Sequence, residues 1–234
     1  MIWAVVPAGG SGRRLPADRP KQYLPLAGRP ILWRTLDALA ACPEVEGIVL
    51  VLAREDLHWT PAASWAGKPL LRAEGGAERA HSVRAGLAAL PATVQPHELV
   101  LVHDAARPLL HSLDVARLCT ALADAAAGGL LAAPLRDTLK HAAAGKPEVL
   151  RTEARERYWR ALTPQCFRRG ILEHALDAAL AAARLPTDEA QAVEWLGHPV
   201  QLVEGREDNL KITTAVDLKL AEALWAMREE ESRA

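Results

Sequence analysis

The most chemically loaded stretch of the chain follows its first apolar run. Pro7-Ala8-Gly9-Gly10-Ser11-Gly12-Arg13-Arg14-Leu15 is followed closely by Pro20-Lys21-Gln22. Gly9, Gly10 and Gly12 carry no Cβ, so backbone N–H groups there can come close to anionic oxygens. Arg13, Arg14 and Lys21 supply positive charge, the arginines as planar forks and the lysine as a point charge. The loop reads as a polyphosphate cradle. It is not a Walker A loop, because no Gly-Lys-Ser/Thr follows the glycines. Nor is it the dinucleotide GxGxxG, because Leu15 stands at the last glycine position.

A second polar turn, Glu74-Gly75-Gly76-Ala77-Glu78-Arg79-Ala80-His81-Ser82, again sets glycines and a hydroxyl beside an expected helix start, where unpaired N–H groups are available. Farther on, the apolar run 99–102 ends in His103-Asp104-Ala105-Ala106-Arg107-Pro108. A carboxylate at the carboxyl end of a strand lies where open α/β sheets bind ligands, so Asp104 is a candidate for magnesium or for a ribose hydroxyl. The alternative for Asp104 taken alone is a loop cap, and His103 reads as a hydrogen-bonded structural histidine. Residues 203–213 combine a second candidate metal carboxylate, Asp208, with a cation, Lys211. A charged surface loop would look the same. Lys140, Arg151, Arg155, Arg157 and Arg160 read, residue by residue, as a solvated face.

The elements that must bring these pieces together are legible in the apolar pattern. Continuous runs at 2–6, 47–53, 99–102 and 129–133 have the length of strands buried on both faces, as in a parallel sheet. Helical spacing lies between them at 31–41, 78–90 and 113–127, with Pro30 at a first helical position. A weaker strand at 69–73 leads into Gly75-Gly76. Strand and helix alternate, which predicts βαβ units. Residues 136–165 break the alternation: short β segments around Gly145-Lys146-Pro147 suggest a polar arm without a core of its own. The pattern then resumes with a helix at 168–183, a helix at 188–196 capped by Thr187, a strand at 200–203 and a terminal helix from 215 to about 227.

Composition narrows the class. Half of the 234 residues are hydrophobic, enough for a substantial core. With 28 basic and 29 acidic residues the net charge is -1, which argues against broad electrostatic binding to nucleic acid or to an anionic membrane. An anionic ligand must therefore be held locally. Cys42, Cys119 and Cys166 are odd in number and lack CxxC spacing, so core thiols are expected rather than disulfides or a zinc site. The first apolar run stops at Pro7, too short for a signal segment or a membrane span, so a cytoplasmic protein is expected.

In this order the motifs resemble the 2-C-methyl-D-erythritol 4-phosphate cytidylyltransferase family of the non-mevalonate isoprenoid pathway. The resemblance rests on residues 7–15 with Pro20-Lys21-Gln22-Tyr23, on Gly75-Gly76 with Glu78-Arg79 and Ser82-Val83, and on residues 102–108. It continues through Ala133-Pro134 with Asp137-Thr138 and Lys140, residues 161–165, Thr187-Asp188-Glu189 and residues 204–211, and so spans nearly the whole chain.

The resemblance implies an α/β fold: a single Rossmann-like nucleotidyltransferase domain over residues 1–234, with a mainly parallel twisted sheet flanked by helices. Residues 136–160 would form a β-arm that embraces a second subunit in a homodimer. It implies a magnesium-dependent enzyme that joins CMP from CTP to 2-C-methyl-D-erythritol 4-phosphate and releases pyrophosphate, with no nucleic-acid or membrane partner. Gly10, Ser11, Gly12 and Arg13 would enclose the triphosphate, and Ala8, Gly9, Gly76, Ser82 and Asp104 would hold cytosine and ribose, with Ala105 and Lys211 also at the CTP site. Backbone groups would read the base, so Ala77, where the family often has aspartate, need not matter. Arg14 and Lys21 would be catalytic, stabilising charge at the α-phosphorus. Asp104, Arg107, Thr138, Thr163, Thr187 and Lys211 would hold the sugar phosphate, with Arg155 crossing from the partner's arm; Asp104 and Asp208 would be the magnesium contacts.

Four other readings stay open at this point. A ribitol 5-phosphate cytidylyltransferase shares the glycine-rich loop and the arm, and acceptor assays discriminate it. Nucleotidyltransferases of sugar 1-phosphates, 3-deoxy-sugar acids or molybdopterin share only the first loop. A catalytically inactive nucleotide-binding regulator would not need Arg14 and Lys21, and a dinucleotide-dependent oxidoreductase needs another glycine pattern. Some relatives are fused to a cyclodiphosphate synthase; the charged segment 228–234 leads us to expect a monofunctional chain.

Overall fold

The computed structural model describes residues 2–10 and 19–231. The first half of the chain runs β1 (Ile2–Pro7), a 3-10 turn (Lys21–Tyr23), β2 (Pro25–Leu26), β3 (Arg29–Pro30), α1 (Ile31–Ala40), β4 (Val45–Leu52), β5 (Ser64–Trp65), β6 (Lys68–Glu74), α2 (Arg79–Ala88) and β7 (Leu99–Val102). There follow α3 (Ser112–Leu122), β8 (Gly128–Pro134), β9 (Lys140–Ala142), β10 (Val149–Thr152), β11 (Trp159–Arg168), α4 (Arg169–Ala181), α5 (Glu189–Trp195), β12 (Gln201–Glu204) and α6 (Ala215–Glu231).

Eight strands form one sheet in the order β12-β8-β11-β7-β1-β4-β6-β5. β1 pairs in parallel with β4 and β7, β4 with β6, and β12 with β8. The expected mainly parallel sheet flanked by helices is therefore present. Strand β1 explains why its sequence is uninterruptedly apolar. Ala4 and Val6 pack on one face with Leu32, Leu36 and Leu39 of α1 and Val115 and Leu118 of α3. Trp3 and Val5 pack on the other with Val83 and Leu87 of α2 and Leu172 and Leu176 of α4. Each large aliphatic side chain buried this way contributes about 1.5–3 kcal/mol. A smaller cluster of Leu26, Ile31, Leu109, Ile212 and Ala221 seats α6.

Three differences from the expected elements have local causes. Residues 159–165 do not belong to an arm alone: β11 runs antiparallel between β7 and β8 at the heart of the sheet. Pro164 offers no N–H to the ladder, and the register with β8 shifts between Ala161 and Gln165, which hides the strand from a pattern search. Helix α3 stops at Leu122, short of the expected 127, because the Arg168 guanidinium takes the carbonyls of Ala123 (2.5 Å) and Ala125 (3.1 Å). The cap of α5 is Asp188, not Thr187: its carboxylate accepts the Gln191 N–H at 2.9 Å. What remains of the arm is the β9–β10 hairpin, a separate two-stranded sheet with Val149 and Leu150 exposed.

Candidate active site

The sheet order makes β1 a switch point. The chain leaves β1 through α1 to β4 on one side and returns through α2 to β7 on the other. The crevice outside the carboxyl ends of such strands is where open α/β sheets take ligands. A cleft of about 490 Å³ opens there. Pro7, Ala8, Gly9 and Gly10 at the end of β1 form one wall, with Lys21 and Gln22 beside them. The turn before α2 contributes Gly76, Ala77 and Glu78, and Arg79 and Ser82 come from its first turn. Asp104, Ala105 and Ala106 close the β7 side together with Lys211.

Each wall is fixed by backbone contacts. The N–H groups of Ala8 and Gly75 donate to Val51 and Leu52, both at 2.7 Å, so the two glycine turns hang from the end of β4. Gln22, only 4% exposed, donates through Nε2 to the Ala8 carbonyl at 2.7 Å and ties the 3-10 turn to the first loop. Lys21 donates through Nζ to the Ile212 carbonyl at 3.2 Å, which places the ammonium between that loop and the C-terminal segment. A Cβ at Gly75 would lie 2.8 Å from Ser82 Oγ, and one at Gly76 would collide with the His81 side chain. Glycine is needed there for α2 to start this close to the strand ends.

The charge in the cleft is organised around Asp104. One carboxylate oxygen, Oδ1, meets Arg79 at 3.2 Å; the other, Oδ2, meets Lys211 at 2.9 Å and Arg107 at 3.4 Å. Burial would raise the pKa of this carboxyl, but Arg79, Lys211 and Arg107 outweigh that and hold it well below the usual carboxylate range. Arg107 also donates to the Asn209 carbonyl at 2.7 Å, and Asn209 Nδ2 to the Thr163 carbonyl at 2.8 Å. Behind them runs a directional relay. The Asp104 N–H donates to Thr163 Oγ1 (3.1 Å), the Thr163 hydroxyl faces His103 Nδ1 (3.0 Å), and His103 Nε2 faces the Arg107 carbonyl (3.0 Å). These partners fit one tautomer, with the proton on Nε2. Burial pushes the imidazole down to about 4, so it stays neutral near pH 7. His103 is thus the hydrogen-bonded structural histidine that the sequence suggested.

Of the sequence-predicted site residues, Ala8, Gly9, Gly10, Lys21, Gly76, Ser82, Asp104, Ala105 and Lys211 meet at this cleft, and Arg107 and Thr163 touch Asp104 from behind. Ser11, Gly12, Arg13 and Arg14 lie outside the described residues. Thr138, Arg155, Thr187 and Asp208 do not line the cleft. Arg155 Nη1 donates to the Arg136 carbonyl at 2.6 Å on its own arm, and Thr187 is exposed, with its N–H given to Gln191. Asp208 is held by Arg206 at 3.0 Å and Arg228 at 2.8 Å. Among the described residues no three His, Cys, Asp or Glu side chains converge as a cation cage. Two acidic residues each already paired to guanidinium or ammonium groups suit a magnesium that arrives on phosphate oxygens and water, not one held by the protein alone.

Sequence reading gave no role to Arg79, Gln22 and Glu189. Arg79 and Gln22 line the cleft, and Glu189 stands behind Arg79, paired through its carboxylate to the guanidinium. The available signal was position: a cation as the first residue of a helix is unfavourable to the helix dipole and calls for a carboxylate partner elsewhere.

An open α/β sheet whose switch point carries a glycine-lined cleft with three fixed cations is an arrangement suited to a nucleotidyltransferase. Residues 2–227 match the family model described as IspD, 2-C-methyl-D-erythritol 4-phosphate cytidylyltransferase. The chain is 52% identical over 227 residues to the curated enzyme of that name from Stenotrophomonas maltophilia (strain K279a), covering 97% of each. It is 50% identical over 231 residues to that of Ectopseudomonas mendocina (strain ymp), covering 98% of each. Among solved structures, the enzyme of that name from Thermus thermophilus superposes with a TM-score of 0.77 at 34% identity, over 95% of this chain and 98% of that one. A crystal structure of 4-diphosphocytidyl-2C-methyl-D-erythritol synthase superposes with a TM-score of 0.80 at 35% identity, over 95% of this chain and 98% of the other. The chain belongs to the 2-C-methyl-D-erythritol 4-phosphate cytidylyltransferase family.

Proposed function

We propose that the cleft between β1 and β7 is where CTP and the acceptor phosphate react. As a member of its family, the chain transfers CMP from CTP to 2-C-methyl-D-erythritol 4-phosphate and gives 4-diphosphocytidyl-2-C-methyl-D-erythritol and pyrophosphate. The observation that carries the assignment to this cleft is the set of cations, Lys21, Arg79 and Lys211, fixed on walls that also carry the Glu78 and Asp104 carboxylates and are elsewhere mostly glycine backbone and small side chains.

In this reading an acceptor phosphate oxygen attacks the α-phosphorus of CTP in line. The new P–O bond forms as the bond from the α-phosphorus to the bridging oxygen breaks, and that oxygen leaves with pyrophosphate. The attacking group is already an anion at neutral pH, so the protein supplies no nucleophile and no strong base. Its residues position two polyanions and offset their repulsion. Gly10 brings backbone to the triphosphate, Ala8, Gly9, Gly76 and Ser82 hold the nucleoside, and Lys21 faces the charge developing at the α-phosphorus, a catalytic role that the family resemblance gives to Arg14 as well. Asp104, Arg107, Thr163 and Lys211 hold the acceptor.

Magnesium, when bound, neutralises phosphate charge. Of the two candidate carboxylates only Asp104 stands on the cleft wall, and we assign any protein contact to it rather than to Asp208. The exposed Val149 and Leu150 of the hairpin support a homodimer in which a second copy covers the arm and Arg155 completes the neighbouring site. Among the described residues no helix is long and apolar enough to cross a membrane; we place the reaction in the cytoplasm. Phosphorus NMR of the reaction tests the proposal: CTP and the acceptor should give the coupled resonances of a new diphosphate diester together with pyrophosphate. Unchanged CTP beside the acceptor would contradict it.

A further inference from the structure

Arg79 of the cleft wall is paired from behind by a carboxylate to which the reaction as described gives no role. Glu189, the first residue of α5, is 1% exposed, and its carboxylate takes the Arg79 guanidinium at two points, Nη1 on Oε1 and Nη2 on Oε2, the latter at 3.1 Å. The same guanidinium turns Nε and Nη2 to Asp104 Oδ1, at 3.3 and 3.2 Å. Asp104 Oδ2 in turn meets Lys211 at 2.9 Å. Charge therefore alternates along Glu189, Arg79, Asp104 and Lys211.

A bidentate carboxylate fixes the plane of an arginine fork, which a single contact does not. Helix α5 does not depend on this carboxylate for its start. Asp188 caps it, Gln165 holds both the Asp188 carboxylate (2.9 Å) and the Ala190 N–H (2.8 Å), and Ala190, Ala192 and Val193 pack it against the core. A buried ion pair is seldom a net source of stability, so the retained charge calls for another purpose.

We propose that Glu189 is a positioning residue for the acceptor side of the site. It clamps Arg79 so that the guanidinium holds Asp104 by Oδ1 and leaves Oδ2 turned to Lys211 and Arg107. Without the clamp Arg79 has Asp104 as its remaining anion among these groups, rotates to take both oxygens, and withdraws the carboxylate from Lys211. The acceptor then meets misplaced groups, while the glycine walls that hold CTP are untouched. This inference rests on the cytidylyl-transfer reading.

The test is steady-state kinetics of the full-length wild type, Glu189→Gln, Arg79→Gln and the double variant, with each substrate varied in turn. Wild-type turnover decides the functional reading by itself; the variants decide the clamp. Glu189→Gln should raise the acceptor KM about tenfold, within the range of coupling in a shared ion-pair network, while the CTP KM moves less than about threefold. Because Glu189 acts through Arg79, the double variant should be no worse than Arg79→Gln. Equal rises in both KM values, or losses that multiply in the double variant, would overturn the proposal. Should Glu189→Gln fail to fold, Glu189→Asp keeps the charge but draws the carboxylate back by one methylene. A smaller rise confined to the acceptor KM supports the clamp, and unchanged kinetics overturns it.

Discussion

Replacing Asp104 with asparagine removes one charge and almost no volume from a site where three cations meet. Asp104 is paired to Arg79, Lys211 and Arg107 at 3.2, 2.9 and 3.4 Å, and its side chain is 9% exposed. Breaking a buried pair by removing one partner costs roughly 3–5 kcal/mol, because the other charge is stranded. Lys211 and Arg79 are 38% and 29% exposed and recover hydration, and Arg79 keeps Glu189. Only Arg107, at 9%, bears most of the penalty. The expected loss is therefore about 2–3 kcal/mol after that discount. For a chain of this size each kcal/mol moves Tm by about 2–4 °C, so differential scanning fluorimetry should show a drop of roughly 4–12 °C. Turnover should fall about 100-fold or more, since the acceptor loses an oriented partner. A variant with wild-type Tm and wild-type turnover would refute the idea that Asp104 organises these cations.

Lys21→Ala removes a loop cation that reaches across to the Ile212 carbonyl and fills no part of the core; we expect wild-type Tm and a fall in kcat of about two orders of magnitude or more, and near-normal turnover would remove Lys21 from catalysis. Arg155→Glu should raise the KM for the sugar phosphate far more than that for CTP, whereas an unchanged sugar-phosphate KM would take the arm out of the site. The three thiols should react slowly with a disulfide reagent at neutral pH, because burial pushes Cys42 up to about 12, Cys119 up to about 11 and Cys166 well above the ordinary value. The sign for stability follows from these raised values: the unfolded chain loses thiol protons near pH 9 while the folded chain keeps them. Their contribution is thus complete below pH 9 and lost as pH rises toward 11–12. Fast labelling of Cys166 in the folded protein, or a urea midpoint that does not fall over that alkaline range, would count against their burial.

The parts of this molecule that repeat a simple period were legible in the sequence. The apolar runs of β1, β4, β7 and β8 and the helical stripes of α1 and α2 fall within a few residues of where periodicity puts them. Strand β11 was not legible, because Pro164 and a shifted register interrupt its pairing just where it enters the sheet. Local motifs located the cleft, since Gly9, Gly76 and Asp104 each follow a strand that points at it. The pairing of Glu189 with Arg79 could not be read from order alone, as the two are 110 positions apart and are joined only when α5 packs beside α2 and α4.

The most direct test of the account is pyrophosphate release by the full chain with CTP and magnesium, run in parallel with 2-C-methyl-D-erythritol 4-phosphate and ribitol 5-phosphate, and with ATP, GTP and UTP replacing CTP. The account predicts fast turnover only for CTP with the methylerythritol phosphate; turnover with ribitol 5-phosphate alone, or with none of these pairs, would contradict it.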